Sequence, residues 1–444
     1  MPTLTITELP CEVMAAILRN LDNLRSLTPA LLTCRHFYTS FKQYHGIEPA
    51  IVRNQVTPAL LPYSVALLDA SNWPRSLAGG LLDTLYNEPA QLSARVSSMP
   101  VSTLQQMARS HELIRKLSTL FATEAWGHLS PGNRDDDSIS LSPTEDSRFC
   151  RTFYRLELFY RLFRTESGVL DPDFEERTKS WFFSRHPPWE NEQIGCAHEF
   201  LEAKLRQASR DVVAHDIFFG EIDIDYVSTG RDNNWNQLWV SALVHIPYNT
   251  AIVLPDADRC LAGTKPQLSQ GLEFIDKLMN ADSYEAKRSL LSSTFAKASA
   301  SFPLAADWLT ETDGDWDESV GDYDQEELLP AASAWVGSNL DRGPYEAWRA
   351  AHLGMPPVVS VMLDNNAWLR ERAYVLWDWG RMQRIDLLAV IKAGPSKDPS
   401  SSWDGEEYDM MLKSFEERSK LWRQGMTGYW NGGEDAAKEG KPDE

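Results

Sequence analysis

Nothing in the sequence is apolar for long enough to cross a membrane. The longest apolar stretch, WVSALVHIPYNTAIVLP, is interrupted by His245, Pro247, Asn249 and Thr250, and a spanning helix needs about 20 consecutive apolar residues. The opening MPTLTITELP has neither the basic region nor the apolar core of a secretory signal. Cysteine is scarce. Cys11, Cys34, Cys150, Cys196 and Cys260 are scattered, odd in number and form no C-x-x-C pair. That excludes a disulfide framework and suits a reducing compartment, so cytoplasm or nucleus is expected, with no membrane partner. A basic stripe is missing too, which argues against nucleic acid.

Catalytic and ligand-binding signatures are equally sparse. There is no glycine-rich phosphate loop, no nucleophile elbow and no H-E-x-x-H. Cys196-x-His198 has no second pair at zinc-finger spacing, and its two side chains would leave a helix in different directions. Asp313-x-Asp315-x-Asp317 begins like a calcium loop. Its sixth position is Glu318 rather than Gly, and its twelfth is Asp324 rather than Glu. No catalytic residue, metal or cofactor is therefore expected. Repeats at the periods of leucine-rich or WD arrays are absent.

The chain has 444 residues and a net charge of −21. The charge is concentrated. Residues 131–147, 301–330 and 431–444 carry 17 of the 21 net negative charges. These stretches are rich in Gly, Ser or Pro and read as loops or a tail. The remainder is close to neutral. It is also 43% apolar across the whole chain, with sixteen Trp, so a large core is within reach, glued by big rings.

What is present, at the start, is leucine. In LPCEVMAAILRNLDNLRSLTPALLTCRHFY, Pro10 can open a helix. Val13, Met14, Ile17, Leu18 and Leu21 then form a wide apolar stripe. Asp22-Asn23 reads as a turn, Ser26 as the cap of a second helix and Thr33 as the cap of a third. Cys34, Phe37, Tyr38 and Phe41 follow at helical spacing. Three short helices with apolar residues on more than one face cannot bury themselves.

This pattern resembles the F-box. The matching residues are Leu9-Pro10-x-Glu12-Val13, Ile17-Leu18-x-x-Leu21, Leu24, Leu27 and Thr33-Cys34-Arg35-x-Phe37-Tyr38. Pro29 is a mild departure. The resemblance implies docking on a Skp-type adaptor of a cullin-RING ubiquitin ligase. Leu9, Pro10, Val13, Ile17, Leu18, Leu21 and Cys34 would then form the docking face or the core just beneath it, with Arg35 a polar contact at its edge.

Beyond the opening, the pattern is helical. Leu104, Met107, His111, Ile114, Leu117 and Phe121 keep spacings of three or four. In CRTFYRLELFYRLFR, the residues Phe153, Leu156, Phe159, Tyr160 and Phe163 line one face. Arg151, Arg155, Arg161 and Arg164 lie towards the other, as a solvated face or as a receiver of a phosphorylated segment. Ile194, His198, Leu201 and Leu205 form a further inner stripe, with His198 a buried histidine. Ser138 and Ser142, the latter before Pro143, sit in a polar loop, inert or phosphorylated. Trp189, Glu190, Glu192 and Gln193, and later Tyr374, Val375, Trp377 and Asp378, resemble two segments typical of a large class of fungal F-box proteins. Gly is commoner in that class where this chain has Ala373. The resemblance implies shared architecture and assigns these segments no chemistry.

The expected fold is mostly α: an N-terminal three-helix F-box, residues 1–48, then a large irregular α-helical domain with acidic mobile loops. The expected divisions are a helical segment 49–130, a loop 131–147, a helical body 148–300, an acidic loop 301–345, a helical part 346–430 and a disordered tail 431–444. The expected function is the substrate-recognition subunit of an SCF-type ubiquitin ligase. Its partners would be a Skp-type adaptor, a cullin scaffold through it, and a protein substrate whose contact residues the sequence does not single out. Two other classes fit the same opening: an adaptor-bound scaffold without degradation targets, and an F-box fused to an enzyme.

Overall fold

The computed structural model describes residues 6, 9–71, 77–129, 139–163, 181–186, 188–218, 270–295, 342–352 and 367–393. Among these, 81% are helical and none is in a strand. The fold is mostly α, as the periodicity predicts.

Four helices open the chain: α1 (Cys11–Arg19), α2 (Leu27–Thr33), α3 (Arg35–Gln43) and α4 (Ile47–Gln55). Pro10 stands at the N-cap of α1. Between α1 and α2, Asn23 accepts a hydrogen bond from the Ser26 N–H at 2.9 Å and caps a single 3₁₀ turn. The capping roles expected of Ser26 and Thr33 are not filled. Ser26 makes no side-chain cap to α2. Thr33 ends α2, its hydroxyl donating back to the Ala30 carbonyl at 2.6 Å, and Cys34 takes the N-cap position of α3. The cause is local: a hydroxyl bonded to the preceding turn is unavailable to the next helix.

Next come α5 (Leu61–Ala70), α6 (Ala78–Asn87), α7 (Pro89–Arg95), α8 (Val101–Leu129) and α9 (Pro143–Phe163). Helix α8 has 29 residues, about 43 Å at 1.5 Å per residue. All six positions of its expected stripe are buried. Helix α9 is the hub. It packs against α5, α8 and α10 (Pro188–Phe218). It is buried on every side from Phe149 to Tyr160, with the single exception of the half-buried Arg151. Such a helix is not amphipathic but central.

The last described elements are α11 (Leu272–Met279), α12 (Tyr284–Phe295), α13 (Gly343–His352), α14 (Ala367–Arg370), α15 (Trp379–Arg384) and α16 (Leu387–Ala393). Helix α10 carries α11, α12, α13 and α14 along its length. One continuous hydrophobic core runs from Ala15 in α1 to Ile391 in α16.

Several expected divisions do not coincide with the elements. Helix α4 runs through the division at 48/49. Helix α9 starts at Pro143, so residues 143–147 of the expected loop are helical, and Glu145 is fully buried. A capping box causes this early start. The Glu145 N–H donates to Ser142 Oγ at 3.1 Å, and the Ser142 N–H donates to Glu145 Oε2 at 3.0 Å. Helix α13 begins inside the expected acidic loop, at Gly343. The Asp313–Asp317 pattern, Ser138, Arg164, Cys260 and the tail 431–444 lie outside the described residues.

Candidate functional site

Helix α1 is apolar on two sides. Met14, Ala15 and Leu18 point inward and are fully buried. Pro10, Val13 and Ile17 fall at i, i+3 and i+7, one face of the helix, and all three are exposed, Val13 at 41% and Ile17 at 38%. Leu21 continues that face and is half-buried. The packing explains the split. Helix α1 rests on α3 and α4, and those contacts use up only its inner face.

The polar contacts fix this arrangement. His36 on α3 lies 2.7 Å from the Leu9 carbonyl through Nε2, tying the start of α3 to the start of α1. Arg19 donates to the His45 carbonyl at 3.1 Å, and Asn54 donates to the Arg19 carbonyl at 2.8 Å. The Glu12 carboxylate is held below its usual range, first by a backbone N–H and then by the Tyr44 hydroxyl. The buried Leu24 N–H donates to Gln55 Oε1 at 3.2 Å. Arg25 pairs with Glu112 on α8 at 2.6 Å. The three-helix opening is thus packed into the body rather than hinged on it.

Of the eight residues singled out from the sequence, Pro10, Val13, Ile17 and Arg35 are exposed. Leu9, Leu21 and Cys34 are half-buried. Leu18 is core. Two further residues stand out: Leu32 at the end of α2, 81% exposed, and Tyr38 on α3, 50% exposed. Tyr38 belonged to the quoted pattern, but its outward direction was not legible. Leu32 lies in the same leucine-rich opening but outside the F-box pattern.

A second constellation lies in the body, where the two quoted segments meet. Arg370 donates to Glu192 through Nε at 2.9 Å and Nη2 at 3.1 Å, and Tyr374 donates to the same carboxylate at 3.1 Å. Gln193 donates to the Val375 carbonyl at 3.1 Å. Arg148 donates to the Leu376 carbonyl at 2.8 Å and pairs with Asp378 at 3.2 Å. Arg381 makes two hydrogen bonds to Glu145, at 2.7 and 2.6 Å. Ser142 and Thr144 both donate to Asp378 Oδ2. Residues 370–381 are therefore clamped to the starts of α9 and α10 by polar contacts, buried around Glu192 and part-buried or exposed around Asp378 and Glu145.

Next to the clamp, Glu190 is shared by three groups: Arg151 at 3.3 Å, His186 at 3.1 Å and Arg155 at 3.7 Å. Arg155 also donates to the Glu190 carbonyl at 2.8 Å and is entirely buried. The arginines of α9 do not form a solvated face. Burial alone would raise Glu190, but Arg151, His186 and Arg155 outweigh it and hold the carboxyl well below the usual range. Burial, with help from Arg155, lowers His186 to about 4 despite Glu190. The sequence signal for this pairing was available: charges of both signs set in strongly apolar helices have to meet.

The buried thiols are quiet. Burial pushes Cys150 up to about 12, with Asp146 adding to it, and pushes Cys196 well above its ordinary value. His198 is buried. No group of three or more His, Cys, Asp or Glu that could hold a metal occurs among the described residues. No described helix is long and apolar enough to cross a membrane.

No protein-family model, curated protein or solved structure matches the chain. The F-box resemblance therefore rests on the residues between Leu9 and Tyr38 and on where they lie.

Proposed function

We propose that the chain is a non-catalytic recognition subunit of an SCF-type cullin-RING ubiquitin ligase. In this reading Pro10, Val13 and Ile17 dock on a Skp-type adaptor, and the helical body receives a protein substrate. The subunit would hold substrate lysines near the ubiquitin-charged enzyme and raise their effective concentration there.

One observation carries the reading. Seven large apolar side chains are exposed among the described residues, and five of them, Ile6, Val13, Ile17, Leu32 and Tyr38, lie within residues 6–38. Exposed apolar groups scattered singly need no explanation, but a concentration of them marks an interaction surface. Here it coincides with the segment that resembles an adaptor-binding module.

The test is capture of a purified Skp-type adaptor by the full chain. Leu9→Ala with Pro10→Ala should weaken capture at least about tenfold, equivalent to roughly 1.4 kcal/mol. The Leu9 carbonyl that meets His36 survives the substitution, so the fold should hold. Failure of the wild-type chain to capture any adaptor, or wild-type capture by the double variant, would overturn the reading.

A further inference from the structure

Charge is unevenly spread along the first four helices. From Asn23 to Gly46 the chain contains Arg25, Arg35 and Lys42 and no Asp or Glu. That is a contrast with a protein of net charge −21. Arg25 is engaged with Glu112 on α8. Arg35 and Lys42 make no ion pair with any described residue.

Those two cations share a face of α3 with Tyr38. Positions 35, 38 and 42 stand at i, i+3 and i+7, and all three side chains are exposed. Lys42 Nζ lies 5.8 Å from the centre of the Tyr38 ring. Leu32 is the last exposed apolar residue before this stripe, three positions ahead of Arg35. The exposed face of α3 therefore offers a cation, an aromatic ring and a second cation, and exposed Leu32 at the end of α2 precedes it by three positions; these residues together are called the ridge. Pro10, Val13 and Ile17 on α1 add apolar surface but no cation.

We infer that the partner of the opening module meets this ridge with an apolar notch bordered by carboxylates. The inference rests on the adaptor-docking reading and adds the chemistry of the partner's surface. Leu32 would fill the notch. Arg35 and Lys42 would face the partner's acidic side chains at the rim. A rim charge acts mainly on the rate of encounter and on its salt dependence, while buried apolar contact sets the lifetime of the complex. The two parts of the ridge therefore have separable signatures.

The experiment measures association and dissociation of the full chain with a purified Skp-type adaptor at about 50 mM and about 500 mM salt, where the screening length falls from well above to well below 10 Å. Arg35→Glu with Lys42→Glu should slow association at least about fivefold at low salt and less than about twofold at high salt, leaving dissociation nearly unchanged. Leu32→Ala should speed dissociation at least about fivefold at both salts. All three positions are exposed, and unchanged thermal unfolding of each variant confirms that the fold is intact. If the wild-type chain binds the adaptor but the charge reversal changes no rate, the ridge inference falls and the docking reading stands. An equal slowing at both salts assigns the stripe to packing and overturns the charge argument. Absence of wild-type binding removes the docking reading and this inference with it. Sedimentation of the chain with phosphatidylserine vesicles, lost on charge reversal, would assign the ridge to a membrane surface and overturn the inference as well.

Discussion

Arg370 meets Glu192 with two parallel hydrogen bonds, 2.9 and 3.1 Å long, across 178 positions of the chain. Both side chains are almost completely buried. Burial alone would lower Arg370, but the facing carboxylate outweighs it and raises the guanidinium above its ordinary value. A pair of this kind orients more than it stabilises. Its attraction has to offset the cost of removing two charges from water, and the balance is close to neutral. It sits beside a second link in the same register: Gln193, one residue on, donates to the Val375 carbonyl, and Tyr374 donates to Glu192.

Breaking the pair from one side should be costly. Arg370→Met leaves Glu192 charged, buried and held only by Tyr374. The expected loss is about 3–5 kcal/mol, measured by chemical denaturation. Adding Glu192→Leu removes the stranded charge and should restore at least half of that loss. A double variant no more stable than Arg370→Met would contradict this account of the pair.

Ala373 adopts a left-handed backbone, with φ of 50°, and is fully buried. That conformation costs a non-glycine residue roughly 1–2 kcal/mol. Glycine would relieve it, but would lose a buried methyl worth about 0.8 kcal/mol and gain freedom in the unfolded chain worth about 0.4–1 kcal/mol. These terms cancel, so Ala373→Gly should lie within about 0.5 kcal/mol of wild type. Inside α8, Ala122→Gly at a fully buried position has no strain to relieve and should cost roughly 1–2 kcal/mol from propensity and burial together. Equal losses at both positions in denaturation curves would rule out strain at Ala373.

Much of this was legible and some was not, for physical reasons. The stripe of α8 read directly, because a helix buried on one face repeats its apolar residues every three or four positions, and the apolar positions read in α10 are buried as well. Helix α9 misled: an arginine every few positions reads as a wet face, but Arg151 and Arg155 find their partners 35 to 39 residues away on α10. Their identity depends on the packing of α9 against α10, which periodicity does not encode. The capping box at Ser142 was legible, since Ser-Pro-x-Glu before an apolar run is a helix start. It was masked by Asp135, Asp136 and Asp137 upstream and by Glu145 and Asp146, which together made residues 131–147 read as one acidic loop. In α1, Val13 and Leu18 looked alike because adjacent leucine-sized residues cover both sides of a helix. Only the positions of α3 and α4 decide which side is core.

Acid should destabilise the fold before the carboxylates titrate. His186 and His111 are buried, and burial lowers both to about 4, with Arg155 acting on the first and Arg115 on the second. His111 also contacts the Tyr154 hydroxyl at 3.0 Å. An unfolded histidine titrates near 6.5. Between these values the unfolded chain binds protons that the folded chain does not, so stability falls as pH falls. By pH 5 the loss should be roughly 2 kcal/mol for each ring. Glu190, lowered in the fold, adds a loss of the same sign at lower pH. Glu157, raised by burial against Arg161 and the Leu272 N–H, softens it near its own titration. Constant unfolding free energy from pH 7 to pH 5 would contradict these assignments.

The opening module should not be removable without consequence. Met14, Leu18, Leu24 and Leu27 are buried, and their contacts with α4 and with one another would be lost in a chain starting at Ile47. At roughly 1.5–3 kcal/mol each, the four are worth about 6–12 kcal/mol. That is comparable to the whole stability of an ordinary domain, about 5–15 kcal/mol. The shortened chain should therefore unfold at much lower denaturant concentration than the full chain and expose Ile47, Ile51 and Val52. Coincident unfolding curves for the two would restore the view of the module as a separate unit.

The two sides of α1 should separate stability from binding. Leu18 is fully buried, so Leu18→Ala removes packed methylenes and leaves a cavity, a loss of about 2–5 kcal/mol. Val13 and Ile17 already face water. Each is still partly covered, at 41% and 38% exposure, so replacing both with alanine should cost about 1–2 kcal/mol, less than Leu18→Ala. Binding should respond in the opposite order. The Val13→Ala, Ile17→Ala variant should lose at least about tenfold in affinity for a Skp-type adaptor, because buried apolar groups at an interface centre carry most of its energy. Leu18→Ala, assayed under conditions where it remains folded, should lose less. If the surface pair instead lowers stability by several kcal/mol and leaves adaptor affinity unchanged, those residues belong to the core, and the outward face of α1 is not a docking face.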